Sequence, residues 1–135
     1  GLQVAFGFAE TVGPILLTSV MVKEDYLASN ADTVQRFCNA LAAAMKLIRE
    51  DKSAYVSAMT AEFANLDKTV VAAGSDRLLA TRGFVPLSPV VSKAEWDAIV
   101  EHDTLAGTVR KAFSFEEMVD NRFAQKAAEA FGLRG

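Results

Sequence analysis

Few residues of this sequence have the types and spacing that catalysis requires. His102 is the only histidine among 135 residues, and it lies between Glu101 and Asp103. A carboxylate beside an imidazole could perform general acid–base chemistry, but a solvated helix end explains such a cluster better. A single histidine excludes the two-histidine zinc patterns and argues against a histidine-centred triad. We therefore expect no catalytic residues, no metal site and no enzyme activity.

The single cysteine and the glycines offer little further chemistry. Cys38 is the only cysteine, which excludes an intramolecular disulfide and a multi-cysteine metal site. On the apolar face of a predicted helix it is best explained as a small buried hydrophobic residue. Gly7 and Gly13 lack the spacing and the following lysine of a phosphate-binding loop. We therefore expect no cofactor.

Composition restricts the class of protein. The hydrophobic share of 51% and the mean hydropathy of +0.19 predict a folded domain. The net charge of -3, with no basic cluster, argues against nucleic acid as a partner. No apolar run approaches the roughly 20 residues that span a bilayer, so the protein should be peripheral to a membrane at most. The start "GLQVAFGF" lacks a signal-peptide pattern, so a secretion signal would lie upstream of it.

Helical signals dominate the chain. After one or two turns from Lys23 to Ser29, Asn30 should cap a long helix. Spacings of three and four along that helix predict an apolar stripe facing the core, formed by Val34, Phe37, Cys38, Leu41, Met45 and Ile48. Further start signals are the caps and capping boxes at Asp51 or Ser53, Asp67, Ser92–Glu95, Ser114–Glu117 and Asp120, with a stop at Gly132. The two prolines within residues 84–92 predict an extended segment lying across a surface.

Two segments favour strands. Residues 2–8 alternate apolar and other side chains, and Ile15 to Lys23 is apolar on both sides, as in a parallel strand covered by helices. The pattern therefore predicts an α/β, mostly helical fold whose strand pairs with backbone from an absent N-terminal part or another copy. An unpaired strand would also favour a homo-oligomer. Residues 1–14 form a lead-in, and residues 15–135 form the domain.

The order of these elements resembles one family. "LTSVMVKEDYL", "NADTVQRFCNALAAAMKLIRED" and the Asp120–Phe123 "DNRF" are similar to the C-terminal portion of ABC-transporter periplasmic substrate-binding proteins. These proteins form the nitrate, sulfonate and taurine group, which is also called NMT1/THI5-like. The resemblance runs from about Leu16 to Phe131, and Asn30-Ala31 stands where the family usually has Asn-Pro.

The resemblance implies a fold and a function. It implies the C-terminal part of a type II periplasmic-binding-protein-like fold, with one or two strands and about five helices. Such a protein would lie in the periplasm or outside the cytoplasm. It would capture a small, anionic solute such as a sulfonate, nitrate or taurine by lobe closure, and would deliver it to an ABC permease.

Candidate ligand residues follow from the same resemblance. Thr18 and Ser19 are polar residues within the apolar run and could line the cleft, although local backbone hydrogen bonding explains them as well. Glu10 and Thr11 lie near the expected crossover between lobes. Trp96 could stack on a ligand, but its helical spacing favours a core anchor. The alternative function is a helical ligand-sensing or protein-interaction module of a signalling protein.

Overall fold

The computed structural model describes residues 13, 15–16, 18–81, 83–111 and 113–134. Within these residues the architecture is helical, and none of the helices is long and apolar enough to cross a membrane. The helices are α1 (Glu24–Glu50), α2 (Lys52–Glu62), α3 (Lys68–Ala80), α4 (Lys93–Leu105), α5 (Phe115–Met118) and α6 (Arg122–Ala130). Helix α1 packs against α6 and α2, α2 against α3, and α4 against α5.

The predicted α/β fold is wrong for the described residues, because they contain no strand. From Ile15 to Lys23 the described backbone is neither helix nor strand, and Val20, Met21 and Val22 are 64%, 86% and 46% exposed. A strand is stabilised by hydrogen bonds to neighbouring backbone, and an apolar run cannot supply those bonds itself. The candidate strand at residues 2–8 lies outside the described residues.

Helix α1 has a kink at the predicted junction. Asn30 has non-helical dihedral angles, φ -134° and ψ 31°, which divide α1 into a short first part and a long second part. The Asn30 side chain donates to the carbonyl of Tyr26 at 3.0 Å, and so satisfies the end of the first part. The prediction of a junction is confirmed, but the side chain bonds backward instead of capping the second part.

The predicted helix starts are confirmed at four positions. Side chains of Asp51, Asp67, Ser92 and Ser114 accept hydrogen bonds from backbone N–H groups of the following turn. These caps satisfy donors that the helix itself leaves without partners. At the last two positions, Glu95 and Glu117 accept from the N–H of the capping serine and complete capping boxes.

Helix α6 begins and ends close to the predicted positions. Its N-cap residue is Asn121, while Asp120 accepts from the N–H of Arg122 at 3.1 Å. Its C-terminus turns at Gly132, whose φ of 66° is the left-handed conformation that favours glycine. The N–H of Leu133 then donates to the carbonyl of Ala128 at 2.8 Å, which completes a Schellman ending.

Small side chains lie in the interior between α1 and α6. Ala42 and Ala127 are fully buried and Ala128 is 5% exposed, so the two helices can approach closely. The side chain of Gln35 donates to the carbonyl of Phe123 at 3.1 Å and joins the same two helices. The contact between α1 and α6 therefore combines alanine packing with a polar bond.

The predicted apolar stripe of α1 faces this interior only in part. Phe37 and Leu41 are 49% and 36% exposed, and the fully buried residue of α1 is Ala42. The other stripe residues are half-buried; they are Val34, Cys38, Met45 and Ile48. Hydrophobicity determines which side of the helix is apolar, whereas the position of α6 determines which side is covered.

The proline segment, residues 84–92, is neither helix nor strand and bends at several residues instead of running extended, and hydrogen bonds join it to the neighbouring helices. Arg49 at the end of α1 donates to the carbonyls of Pro86 and Leu87, at 2.9 Å for the latter. The carboxamide of Asn121 forms two bonds with the backbone of Val91, accepting from its N–H at 3.1 Å and donating to its carbonyl at 2.8 Å. This amide clamp fixes the segment just before α4 begins.

Replacing Asn121 by alanine should destabilise the protein by about 1–3 kcal/mol, because a partly buried N–H and carbonyl lose their partners. Urea unfolding followed by circular dichroism measures this loss. The control is Asn65→Ala on the exposed turn after α2, which should cost about 0.5 kcal/mol or less. Equal losses in the two variants would show that the amide clamp contributes nothing.

Acid should weaken the caps of the helices. Hydrogen bonds from the hydroxyl and N–H of Thr69 lower the pKa of the Asp67 carboxyl, and bonds from Ser53 and Ala54 lower that of Asp51. Since the folded-state pKa is the lower one, the stabilisation is present above the unfolded-state pKa of about 4 and is lost as pH falls through the folded-state value. We expect the thermal midpoint to fall between about pH 5 and about pH 2.

The variant Asp67→Asn tests this assignment, because asparagine caps a helix without ionising. Its thermal midpoint should fall less with acid than that of the unmodified protein. If both proteins lose the same number of degrees over that pH range, the Asp67 cap does not contribute to the acid sensitivity.

Candidate functional site

An open groove lies beside helix α4. It has a volume of about 370 Å³ and is bounded by α4, by the chain that follows it and by part of the segment before α1. Its lining is mostly apolar, with a few polar side chains at the edges. The lining residues are Leu16, Ser19, Trp96, Ile99, Val100, Asp103, Val109, Arg110, Lys111 and Phe113.

A glycine turn creates the second wall of this groove. Helix α4 ends at Leu105 with Ala106 as its C-cap residue, and Gly107 has a φ of 72°, which glycine adopts without strain. The N–H groups of Thr108 and Val109 then both donate to the carbonyl of Asp103, at 2.9 and 3.2 Å. These bonds turn the chain back, so that residues 109–111 and 113 lie beside the helix that they follow.

The wall formed by α4 is one face of the helix. Trp96, Ile99 and Val100 are each half-buried and recur at the three- and four-residue spacing of a helical face. The N–H of Leu16 donates to the carbonyl of Glu95 at 3.4 Å and places Leu16 at the groove's edge. Trp96 is therefore half-buried on this helical face and lines the groove, and its stacking on a ligand stays a prediction.

Three charged side chains border the groove. Arg110 and Lys111 are exposed, and within the described residues neither is paired with a carboxylate. The Lys111 ammonium lies 5.3 Å from the centre of the Phe113 ring, a cation–π distance. Asp103 Oδ1 lies 3.1 Å from Nδ1 of His102. Two positive charges and one negative charge leave the groove with a net attraction for anions.

The structure describes two of the four predicted ligand residues. Ser19 is exposed and lines the groove, whereas Thr18 is exposed and is not part of the lining. Glu10 and Thr11 lie outside the described residues. The role of all four in binding stays a prediction.

Sequence reasoning missed Arg110 and Lys111. The sequence "GTVRKAF" places a glycine, a basic pair and an aromatic residue directly after a helix. This pattern indicates a site only when the turn at Gly107 is known to bring the basic pair back beside the helix.

A second groove of about 370 Å³ lies at the start of α1 beside α6, where Arg122 and Phe123 form part of its lining. The Arg122 guanidinium there already holds the Asp120 carboxylate, with Nη2 to Oδ2 at 2.7 Å. That ion pair lowers the pKa of Asp120 and occupies the cation. The groove at α4 is the better candidate, because its cations have no carboxylate partner among the described residues.

Metal-binding chemistry has no evident place in the described part of the chain, where no three histidine, cysteine, aspartate or glutamate side chains converge. Cys38 is half-buried on α1, and this burial raises the pKa of its thiol. Less thiolate is then present at neutral pH, and the thiolate is the nucleophilic form. The residue therefore behaves as the packed side chain that its position predicts.

Comparisons with known proteins give one informative match. The Bacillus subtilis (strain 168) protein named "Putative binding protein YtlA" is 23% identical over 125 residues. These residues make up 92% of this chain but only 37% of that relative, so this chain spans little more than a third of the relative's length. No protein-family model matches the chain, and no solved structure matches it significantly.

Cys38 should react slowly with iodoacetamide at about pH 8, because burial raises the pKa of its thiol and limits access to it. The rate is measured by mass spectrometry of the intact protein. A Ser29→Cys variant in a Cys38→Ala background supplies an exposed thiol on the same helix and should react several-fold faster. Equal rates at the two positions would contradict the assigned burial.

Proposed function

We propose that this chain belongs to a solute-binding component of an ABC importer, and that the groove at α4 contacts the solute. Its similarity to a protein named as a binding protein, over nearly all of its length, carries the proposal. The groove adds a physical reason, because it combines apolar walls with a few converging polar groups, as ligand sites do. The protein would act by capture and would not be an enzyme.

The lining favours an organic anion with an apolar body. Trp96 and Phe113 offer aromatic surface, and Arg110 and Lys111 offer positive charge at the edge. Guanidinium groups suit the geometry of carboxylates and sulfonates. Nitrate would leave the apolar walls uncovered, so an alkyl or aryl sulfonate or carboxylate fits the groove better.

The proposed setting is extracytoplasmic. An importer component would capture its solute in the periplasm or at the outer surface and would present it to the permease of the same transporter. Genes for a permease and an ATPase beside this gene would support this assignment. A neighbouring or fused kinase or cyclase would argue against it.

A second candidate function is a helical ligand-sensing or protein-interaction module of a signalling protein. The helical architecture of the described residues favours it, and so does the amount of exposed apolar side chain. Such a module would bind a protein surface and would show no preference for anionic solutes.

Trp96 provides a direct test, because it is the only tryptophan and it lines the groove. Benzenesulfonate should change its fluorescence with a dissociation constant of about 1 mM, since the groove is open and binding costs translational freedom. Nitrate, taurine and uncharged benzyl alcohol should bind several-fold more weakly. Fluorescence that stays constant at benzenesulfonate concentrations well above about 1 mM would refute binding in this groove.

Two substitutions should shift this affinity in opposite directions. Lys111→Met should weaken benzenesulfonate binding about two- to fivefold by removing an exposed positive charge, while Asp103→Asn should strengthen it by a similar factor. Lys126→Met, which changes the same charge on the exposed face of α6, is the matched control and should leave the affinity unchanged. If Lys126→Met weakens binding as much as Lys111→Met, only the net charge of the chain matters and the site assignment is wrong.

A further inference from the structure

The pair of His102 and Asp103 places an imidazole against a carboxylate of the groove at α4. Nδ1 of His102 lies 3.1 Å from Oδ1 of Asp103, which is within hydrogen-bond distance. Asp103 lines the groove, whereas His102 stands behind it, outside the lining. The two side chains are 47% and 38% exposed, so protons reach the imidazole from solvent. A change in the charge of His102 is therefore felt first by a carboxylate of the groove.

Protonation of this imidazole changes the electrostatics at the edge of the groove. A protonated imidazole carries hydrogen on both ring nitrogens, so Nδ1 then donates to the carboxylate in a charge-assisted hydrogen bond. The positive charge of His102 offsets the negative charge of Asp103. Less negative charge then opposes the cations of Arg110 and Lys111, which line the same groove. The attraction of the groove for an anion increases.

The sequence contains one side chain that changes charge close to neutral pH. Histidine is the residue whose ordinary pKa lies between about 5 and 8, and His102 is the only histidine among the 135 residues. Burial raises the pKa of the Cys38 thiol, further from neutrality. A terminal amino group also titrates near neutral pH, but a substitution at His102 leaves it in place.

The charged groups around the pair come from α4, from the chain that follows it and from α5, which packs against α4. They are Lys93, Glu95, Asp97, Glu101 and Asp103 on α4, Arg110 and Lys111 after it, and Glu116 and Glu117 on α5. The segment before α1 reaches the groove with Leu16 and Ser19, which carry no charge. Carboxyl groups ordinarily titrate near about pH 4, and lysine and arginine above about pH 10. Between about pH 5.5 and about pH 8, the imidazole is therefore the group in this set that changes charge.

We propose that protonation of His102 strengthens the capture of an organic anion in the groove at α4, so that the solute is held more tightly at mildly acidic pH than at pH above neutrality. This regulation rests on the proposed function, because it concerns the same site. The edge of the groove is exposed and solvent screens its charges, so the affinity should rise only about two- to threefold. Coupling between two sites is reciprocal, so a bound anion in turn favours the protonated imidazole.

The fluorescence of Trp96 measures this coupling with benzenesulfonate as the probe. Sulfonic acids are strong acids, so the probe stays ionised and any change in affinity arises in the protein. Between about pH 8 and about pH 5.5, the dissociation constant of the unmodified chain should fall about two- to threefold. His102→Gln keeps a polar side chain that does not titrate, and its dissociation constant should be the same at both pH values.

A relocated histidine supplies the matched control. His102→Gln combined with Gln125→His keeps one histidine in the chain but moves it to an exposed position on α6, which within the described residues does not pack against α4. This double variant should also bind equally at both pH values. In the unmodified chain, saturating benzenesulfonate should move the midpoint of the imidazole NMR signal of His102 to higher pH.

The possible failures are distinguishable. Equal affinity at both pH values in the unmodified chain would overturn this regulation and leave the proposed function standing. A pH dependence that His102→Gln retains, or that the relocated histidine restores, would do the same. Fluorescence that stays constant at both pH values would refute binding in the groove, and with it the proposed function and this regulation together. If His102→Gln loses helicity by circular dichroism, His102→Asn replaces it and the same criteria apply.

Discussion

The amide clamp between Asn121 and Val91 is the contact on which the rest of the arrangement depends. Its two hydrogen bonds join the residue before α6 to the proline segment, residues 84–92, before α4. Helix α6 is in turn held to α1 by alanine packing and by the bond from Gln35 to the Phe123 carbonyl. The position of α4, and with it the candidate groove, is therefore tied to the long helix through this carboxamide, together with the bonds from Arg49 to the carbonyls of Pro86 and Leu87. An amide suits this role because it offers the same donor and acceptor pair as a backbone peptide group.

The groove and the exposed apolar side of α1 are apolar surfaces of different composition. In the groove, apolar side chains from one helix face are joined by charged side chains that the turn at Gly107 brings back beside them. On α1, Phe37 and Leu41 are exposed without charged residues on the same side of the helix. Converging polar groups are typical of small-molecule sites, whereas an uncharged apolar stripe is typical of packing between protein elements. This difference in chemistry is why we assign the solute to the groove.

Local signals predicted the helices well, but the predicted α/β fold class is wrong for the described residues. Caps at Asp51, Asp67, Ser92 and Ser114 lie where the sequence placed them, because a cap involves residues only two or three positions apart. The prediction of a strand from Ile15 to Lys23 was wrong, because strand pairing depends on backbone that is distant in sequence or belongs to other polypeptide. The periodicity of α1 was correct, but the stripe is covered only in part, because Phe37 and Leu41 are exposed while Ala42 packs toward α6.

The sequence by itself determined the capped helix starts, the kink at Asn30 and the turn at Gly132. Each of these follows from side chains acting on their own backbone or on near neighbours. Only the tertiary structure decided that Asn121 clamps Val91, that Arg110 and Lys111 meet Trp96 in a groove, and that Phe37 and Leu41 stay exposed. Those outcomes depend on which helix faces approach one another, and that is set by contacts between residues tens of positions apart.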